Sequence, residues 1–237
     1  MITLYAADSP NVLKIFLALE ETALPYQTIP IDVMAGAQFD PAFRAISPNA
    51  KVPVIVDEDG PGTESVTVFE SGAILIYLAE KVGNFLPHGK IARSEAIQWL
   101  MLQSSSIGPM FGQFMHFFRY APQGNDYALA RYRTQIFQLL DVLETRLGQS
   151  AWVGGRDYGI ADMAIFPWAR PLPSVFGADI EADYPRLMEW VARIADRPAT
   201  ARAYAAGEGI AKRTTSPLNG VPQVLDRVFG RGDHSRA

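Results

Sequence analysis

Strand-like alternation stops at Phe69 and never returns. Everything before it mixes short strands with helices, and everything after it reads as helix and turn. A chain with that asymmetry folds as a small α/β unit followed by an all-helical one. Ile2 to Ala6 reads as a strand. Ser9-Pro10-Asn11 has helix-start chemistry, and Val12, Ile15, Phe16 and Leu19 then recur at helical spacing. Tyr26 to Val33 is predicted as a second strand, and Asp40 to Ile46 as a short helix or loop. Val54–Val56 and Val66–Phe69 are predicted strands around a turn at Asp57 to Gly62. Ser71 to Val82 is predicted helical. The order is βαβ, a connection, then ββα, which is that of a thioredoxin-like domain.

Beyond Asn84-Phe85-Leu86-Pro87 the pattern predicts helices only. They run over Ile91 to Tyr120, bent near Gly108-Pro109, then Tyr127–Leu147, Ala161–Arg170, Tyr184–Asp196 and Pro198–Ala206. The expected domains are residues 1–84, thioredoxin-like, and 88–206, a helical bundle. Residues 207–237 form a Gly- and Arg-rich tail, partly mobile or docked through Val221 to Phe229.

Composition narrows the function classes. Of 237 residues, 49% are hydrophobic and 19% charged, which is ample for a core. The net charge of −4 argues against a nucleic-acid partner. No apolar run reaches membrane-span length, so no membrane partner is expected. The start, Met1-Ile2-Thr3-Leu4-Tyr5, lacks the basic and apolar parts of a signal peptide, and a cytoplasmic location is expected. There is no cysteine, so any thiol chemistry must use a thiol carried by the ligand. His88, His116 and His234 are scattered, and no metal site is expected.

Three stretches carry candidate chemistry. Val52-Pro53 precedes the third strand. In a thioredoxin-like unit a cis proline there holds the N–H and C=O of Val52 outward, where an extended peptide can pair with them. Phe69-Glu70-Ser71-Gly72 opens a helix. Glu70 and Ser71 could simply cap it. They could also hold an amino-acid head, with Ser71 on the carboxylate and Glu70 on the ammonium. Ser9 and Asn11 could likewise be cap residues, or donors that stabilise a thiolate. An amino-acid head, a peptide backbone and a sulfur in that arrangement describe glutathione.

These stretches, together with Gly36-Ala37-Gln38-Phe39, Ile46-Ser47-Pro48-Asn49-Ala50-Lys51, Gly108-Pro109-Met110, Ala130-Arg131-Tyr132, Trp152-Val153-Gly154-Gly155, Ile160-Ala161-Asp162 and Arg197-Pro198-Ala199, resemble the cytosolic glutathione transferase superfamily. Within it the chain is most similar to the bacterial Nu class of disulfide-bond oxidoreductases, which are related to a yeast nitrogen regulator. The resemblance implies glutathione contacts at Val52, Pro53, Glu70 and Ser71. It also implies contacts to the glycine end from Gln38 and Lys51, a sulfur-proximal role for Asn11 with Ser9 beside it, and a ligand-directed Arg131. Its further implications are a homodimer and reduction of small disulfides by bound glutathione, with weak transferase or peroxidase activity. A glutathione-dependent β-etherase or other conjugating enzyme is an alternative, with Phe111, Phe114, Phe117, Phe118 and Tyr120 as an apolar pocket or as core. A regulatory glutathione-binding protein without catalysis is another.

Two positions depart from the family pattern. Ser9 stands where the Nu pattern has threonine, which loses the methyl that restricts the rotamer. Gly159 stands where Ser or Thr precedes Ile-Ala-Asp in a capping box with Asp162. Tyr5, near the end of the first strand, could be a thiol-activating tyrosine, but packing is the expectation.

Overall fold

The computed structural model describes residues 1–216 and 219–231; the end of the expected tail, with His234, lies outside them. The chain divides into two compact units. One comprises Met1–Leu78 with Ala201–Ala237, and the other Ala79–Thr200.

In the first unit four strands form one sheet in the order β2-β1-β3-β4. β1 (Ile2–Ala6) runs parallel to β2 (Tyr26–Pro30) and antiparallel to β3 (Val54–Asp57), which pairs antiparallel with β4 (Val66–Phe69). Ile2, Leu4, Val54 and Ile55 are buried, so the two central strands carry the sheet's core. The parallel β1–β2 pair requires a crossover. α1 (Pro10–Thr22) supplies it, with Val12, Ile15, Phe16 and Leu19 buried.

β2 is shorter than expected. It ends at Pro30, and residues to Val33 do not continue it, although Ile31 N–H still donates to Ala6 C=O at 2.8 Å. A 3₁₀ turn over Val33–Ala35 follows, capped by the Asp32 carboxylate on the amide of Ala35. α2 (Pro41–Ile46) is helical, capped by Asp40. The Val52–Pro53 peptide is cis, as expected from its place before β3. α3 (Ser71–Val82) follows β4 directly.

The second unit is helical among its described residues: α4 (Lys90–Leu102), α5 (Gly108–Arg119), α6 (Asp126–Leu147), α7 (Ile160–Ala169), α8 (Leu172–Phe176), α9 (Ile180–Asp183) and α10 (Pro185–Ala195). Just before Gly108-Pro109, where a bend is expected, a π-helical turn over Gln103–Ile107 joins α4 to α5. Ser104 and Ser105 donate there to the carbonyls of Leu100 and Met101, the back-bonding that loosens a helix.

α7 is almost wholly buried, and Asp162 is its anchor. The Asp162 carboxylate accepts from Val153 N at 2.8 Å, Gly159 N at 3.1 Å and Trp190 Nε1 at 2.8 Å. Gly159 has a local reason: a Cβ there would lie 2.6 Å from the carbonyl oxygen of Phe85. That carbonyl accepts from Ile160 N–H at 3.0 Å. The side chain expected at this cap would collide with the strand of backbone that already satisfies the helix start. The aromatic row of α5 is split between core and surface, Phe118 being 55% exposed. Phe111 and Phe114 are buried, Phe114 stacks with Phe118, and Phe117 stacks with Tyr132.

α11 (Pro198–Ala211) runs five residues past the expected end at Ala206, through Gly207 and Gly209, with Ile210 buried. Beyond it Thr215 donates through N–H and hydroxyl to Asp32 Oδ2, at 3.1 and 2.6 Å. α12 (Pro222–Phe229) docks on the turn after β2. Val224 faces Gly36, and the Arg227 guanidinium covers the Phe39 ring at 3.8 Å.

Candidate functional site

The sheet's geometry collects three chain reversals at one place: the start of α1, the loop before β3 and the β4–α3 corner. A polar cleft of about 60 Å³ is lined by Asn11, Ser47, Asn49, Lys51, Val52, Pro53, Phe69, Glu70 and Ser71. A larger cavity of about 490 Å³ adjoins it, lined by Ser9, Asn11, Lys51, Val52, Val33 and Met34 and by Thr214, Thr215 and Ser216. Asn11, Lys51 and Val52 line both spaces. The cleft is built from backbone turns and polar side chains, as a peptide site requires.

Each lining residue has a local cause. Ser9 is the N-cap of α1, and its hydroxyl accepts from Val12 N at 3.2 Å. Pro10 sits at the first helical position, so Asn11 projects from the first turn, half-buried. The loop before β3 is held by Ser47, which is buried and grips the backbone of Lys51 through both its N–H and its C=O. Ala50 within that loop is left-handed, at φ 52°. The Lys51 side chain is thereby left exposed. Val52 packs its side chain on a cluster of Ile31, Phe43 and Val54. Its own N–H and C=O take part in no backbone pairing among the described residues.

Glu70 has φ 69°, a left-handed conformation that costs a non-glycine residue energy and is concentrated at ligand sites. Its carbonyl accepts from Ile74 N–H at 2.9 Å, so the backbone of Glu70 caps α3 while its side chain is exposed. Capping and ligand contact are therefore compatible here: the backbone does the first and leaves the carboxylate free for the second. Ser71 is buried and accepts from Lys14 Nζ at 3.1 Å. Lys14 is 2% exposed. Burial pushes its ammonium down to about 7, against the opposing pull of the Glu70 carboxylate. Sequence reading did not single out Lys14, because a lysine in an amphipathic helix reads as a solvated charge. Its only signal was position: it adjoins Ile15 on the buried face.

Two expected residues line neither space. Gln38 is in the 3₁₀ turn after Gly36 and is 3% exposed, with no partner for its Oε1 among the described residues. Arg131 lies on α6 of the other compact unit and is exposed. Tyr5 is a packing residue, its ring 6.0 Å from that of Phe43. No group of three metal-ligating side chains occurs among the described residues, and no described helix is long and apolar enough to cross a membrane.

Comparison with known proteins identifies the family. Residues 8–81 match the model of the glutathione S-transferase N-terminal domain, and residues 126–193 that of the C-terminal domain. The disulfide-bond oxidoreductase YfcG of Escherichia coli is 47% identical over 204 residues, covering 86% of this chain and 94% of that one. A glutathione transferase family member from Pseudomonas fluorescens, solved with two glutathione bound, superimposes with a TM-score of 0.80 at 41% identity, covering 85% of this chain and 91% of that one. A glutathione transferase from Pseudomonas putida, solved with one glutathione disulfide per subunit, gives 0.80 at 36% identity, with coverage of 85% and 90%.

Proposed function

The chain belongs to the glutathione S-transferase family, and we propose that it is a Nu-class enzyme reducing small disulfides with glutathione bound in the polar cleft. One observation carries the reading. The cleft and the 490 Å³ cavity meet at Asn11, so a sulfur held there faces a space large enough for a second small molecule.

In this reading the α-carboxylate of the γ-glutamyl head meets the hydroxyl and amide of Ser71 at the start of α3, and Glu70 accepts from the α-ammonium. The cysteinyl backbone pairs with Val52, and Lys51 reaches the glycine carboxylate. Gln38 and Arg131 are assigned to the ligand on the resemblance alone. Gln38 is buried and lines neither space, so that contact requires its side chain to become accessible. The sulfur lies beside the Asn11 amide and the first turn of α1, whose free amides and positive end favour a thiolate.

The chemistry then needs no protein cysteine, and the chain has none. A glutathione thiolate attacks one sulfur of the disulfide, forms a mixed disulfide and expels the first thiolate. A second glutathione thiolate attacks the glutathione sulfur of the mixed disulfide and expels the second thiolate. Glutathione disulfide leaves. The two thiol protons end on the two product thiols, and two electrons have passed to the substrate. YfcG carries the name of this activity, and the two Pseudomonas structures hold two glutathiones or their disulfide.

The test is turnover of hydroxyethyl disulfide by the purified protein with glutathione, run beside conjugation of an aromatic electrophile. Rapid disulfide reduction with slow conjugation is expected. Conjugation without disulfide reduction overturns the proposal in favour of a conjugating transferase.

A further inference from the structure

We propose that Lys14 is a positioning residue for the site: its buried ammonium fixes the Ser71 hydroxyl so that the hydroxyl proton is presented to a ligand carboxylate. The inference rests on the glutathione reading given above and extends it to a residue outside the cleft's lining.

The hydrogen-bond inventory decides the direction. An ammonium has donors and no acceptor, whereas a serine hydroxyl has one proton and two lone pairs. In the 3.1 Å contact Ser71 Oγ therefore accepts from protonated Lys14, the form that the Glu70 carboxylate favours against burial and that a bound carboxylate would favour further. A lone pair is used and the proton is turned away from Lys14. No acceptor takes that proton among the described residues, and the Ser71 side chain lines the cleft. A free serine rotor has several wells; this one is biased before ligand arrives.

Burial makes the arrangement costly enough to need a cause. Lys14 is 2% exposed on a helix whose neighbouring residues Ile15, Phe16 and Leu17 are core. A methionine of similar length would fill the same space without desolvating a charge. The ammonium lies where two negative charges converge: the Glu70 carboxylate, which already acts on it, and the carboxylate that Ser71 would bind. Burial and the Glu70 charge pull its pKa in opposite directions, and the ligand adds to the second. Lys14 thus supplies positive charge behind the hydroxyl, in a low-dielectric position where it is little screened.

The test compares two peptides by calorimetry: glutathione, and γ-aminobutyryl-cysteinylglycine, which is the same tripeptide without the α-carboxylate. The wild-type protein should prefer glutathione by about tenfold or more, the scale of a hydrogen bond to a charged group. Lys14→Met should cut that preference severalfold while leaving binding of the analogue nearly unchanged. Ser71→Ala should cut it similarly, and the double variant should lose little more than either single one. Lys14→Gln, which keeps a donor without the charge, should retain part of the preference and serves if Lys14→Met does not fold. On the unmutated protein, carbon NMR of labelled lysine should show the Lys14 Cε signal shifting with glutathione and not with the analogue. Equal weakening of both peptides by the Lys14 variants, or no weakening of either, makes Lys14 a structural residue and overturns the inference. Failure of the wild-type protein to bind glutathione overturns this inference and the proposed function together. An unchanged preference in the variants overturns this inference alone.

Discussion

The hydroxyl of Ser47 donates to the carbonyl of Lys51 at 2.8 Å and accepts from the amide of the same residue at 3.1 Å. One buried side chain thus fixes the loop from which Lys51 and Val52 enter the cleft. Ser47→Ala removes both bonds and leaves two backbone groups to find water. The expected result is a glutathione affinity lower by about 1–2 kcal/mol, with a smaller change in kcat. Calorimetric titration and steady-state kinetics of the variant check this; unchanged affinity would show that the loop is held by other contacts.

Glu70 is exposed and Ser71 is buried, so their substitution should separate affinity from stability. Glu70→Ala and Ser71→Ala should each weaken glutathione binding by about 1–3 kcal/mol. Glu70→Ala should leave Tm nearly unchanged. Ser71→Ala should lower Tm as well, because the buried Lys14 ammonium loses an acceptor. A large fall in Tm for Glu70→Ala with affinity retained would reduce Glu70 to a structural cap.

Asp162 is the main polar anchor of the helical unit. Asp162→Ala strands the Trp190 indole and two backbone amides in the interior, and should cost about 3 kcal/mol or more of stability. Burial raises its carboxyl from 3.8 to about 6, partly offset by the hydrogen bonds. The sign follows. The folded state binds the proton more tightly than the unfolded one, so this group's contribution is complete below about pH 4 and is lost as pH rises through about 6. Denaturant titrations of wild type and Asp162→Asn between pH 4 and 7 should differ in slope in that sense.

Large apolar side chains stand exposed on α4 and α6: Ile91 at 88%, Met101, Tyr127 at 81% and Val142. Together with the family resemblance they support a twofold dimer in which these helices pack on the first unit of a partner copy, closed symmetry being the commonest arrangement. Light scattering at micromolar concentration should return twice the 26.1 kDa chain mass. A monomer mass would contradict it.

The strand and helix order of the first unit was legible because alternation and caps are local: Ser9 before Pro10, and apolar runs bounded by turns. Asn11, Val52 and Ser71 were singled out for the same reason, since each sits at or just before the start of an element, and the three line one cleft. What was not legible depends on distant partners. The bond between Lys14 and Ser71 joins residues 57 apart. β2 stops at Pro30 because the Asp32 carboxylate is engaged by Ala35 and by Thr215, 183 residues later. α11 passes Gly207 and Gly209 because Ile210 is buried, a tertiary gain that outweighs the weak helix propensity of glycine. The π-helical turn at Gln103–Ile107 shifts the backbone by a bonding pattern that Gly108-Pro109 marks only approximately.

The central claim is that the reacting sulfur lies at Asn11, where cleft and cavity meet. The direct measurement is steady-state reduction of hydroxyethyl disulfide at saturating glutathione by Asn11→Ala, Ser9→Ala and Tyr5→Phe. The Asn11 amide can donate to a thiolate and does not deprotonate at working pH. Ser9 already spends a lone pair on the helix cap, and Tyr5 packs on Phe43. Asn11→Ala should lower kcat by ~10-fold or more, the scale of one lost charge-stabilising donor, Ser9→Ala by less, and Tyr5→Phe hardly at all. Collapse of activity in Tyr5→Phe, with Asn11→Ala near normal, would contradict the account and place the sulfur against the tyrosine instead.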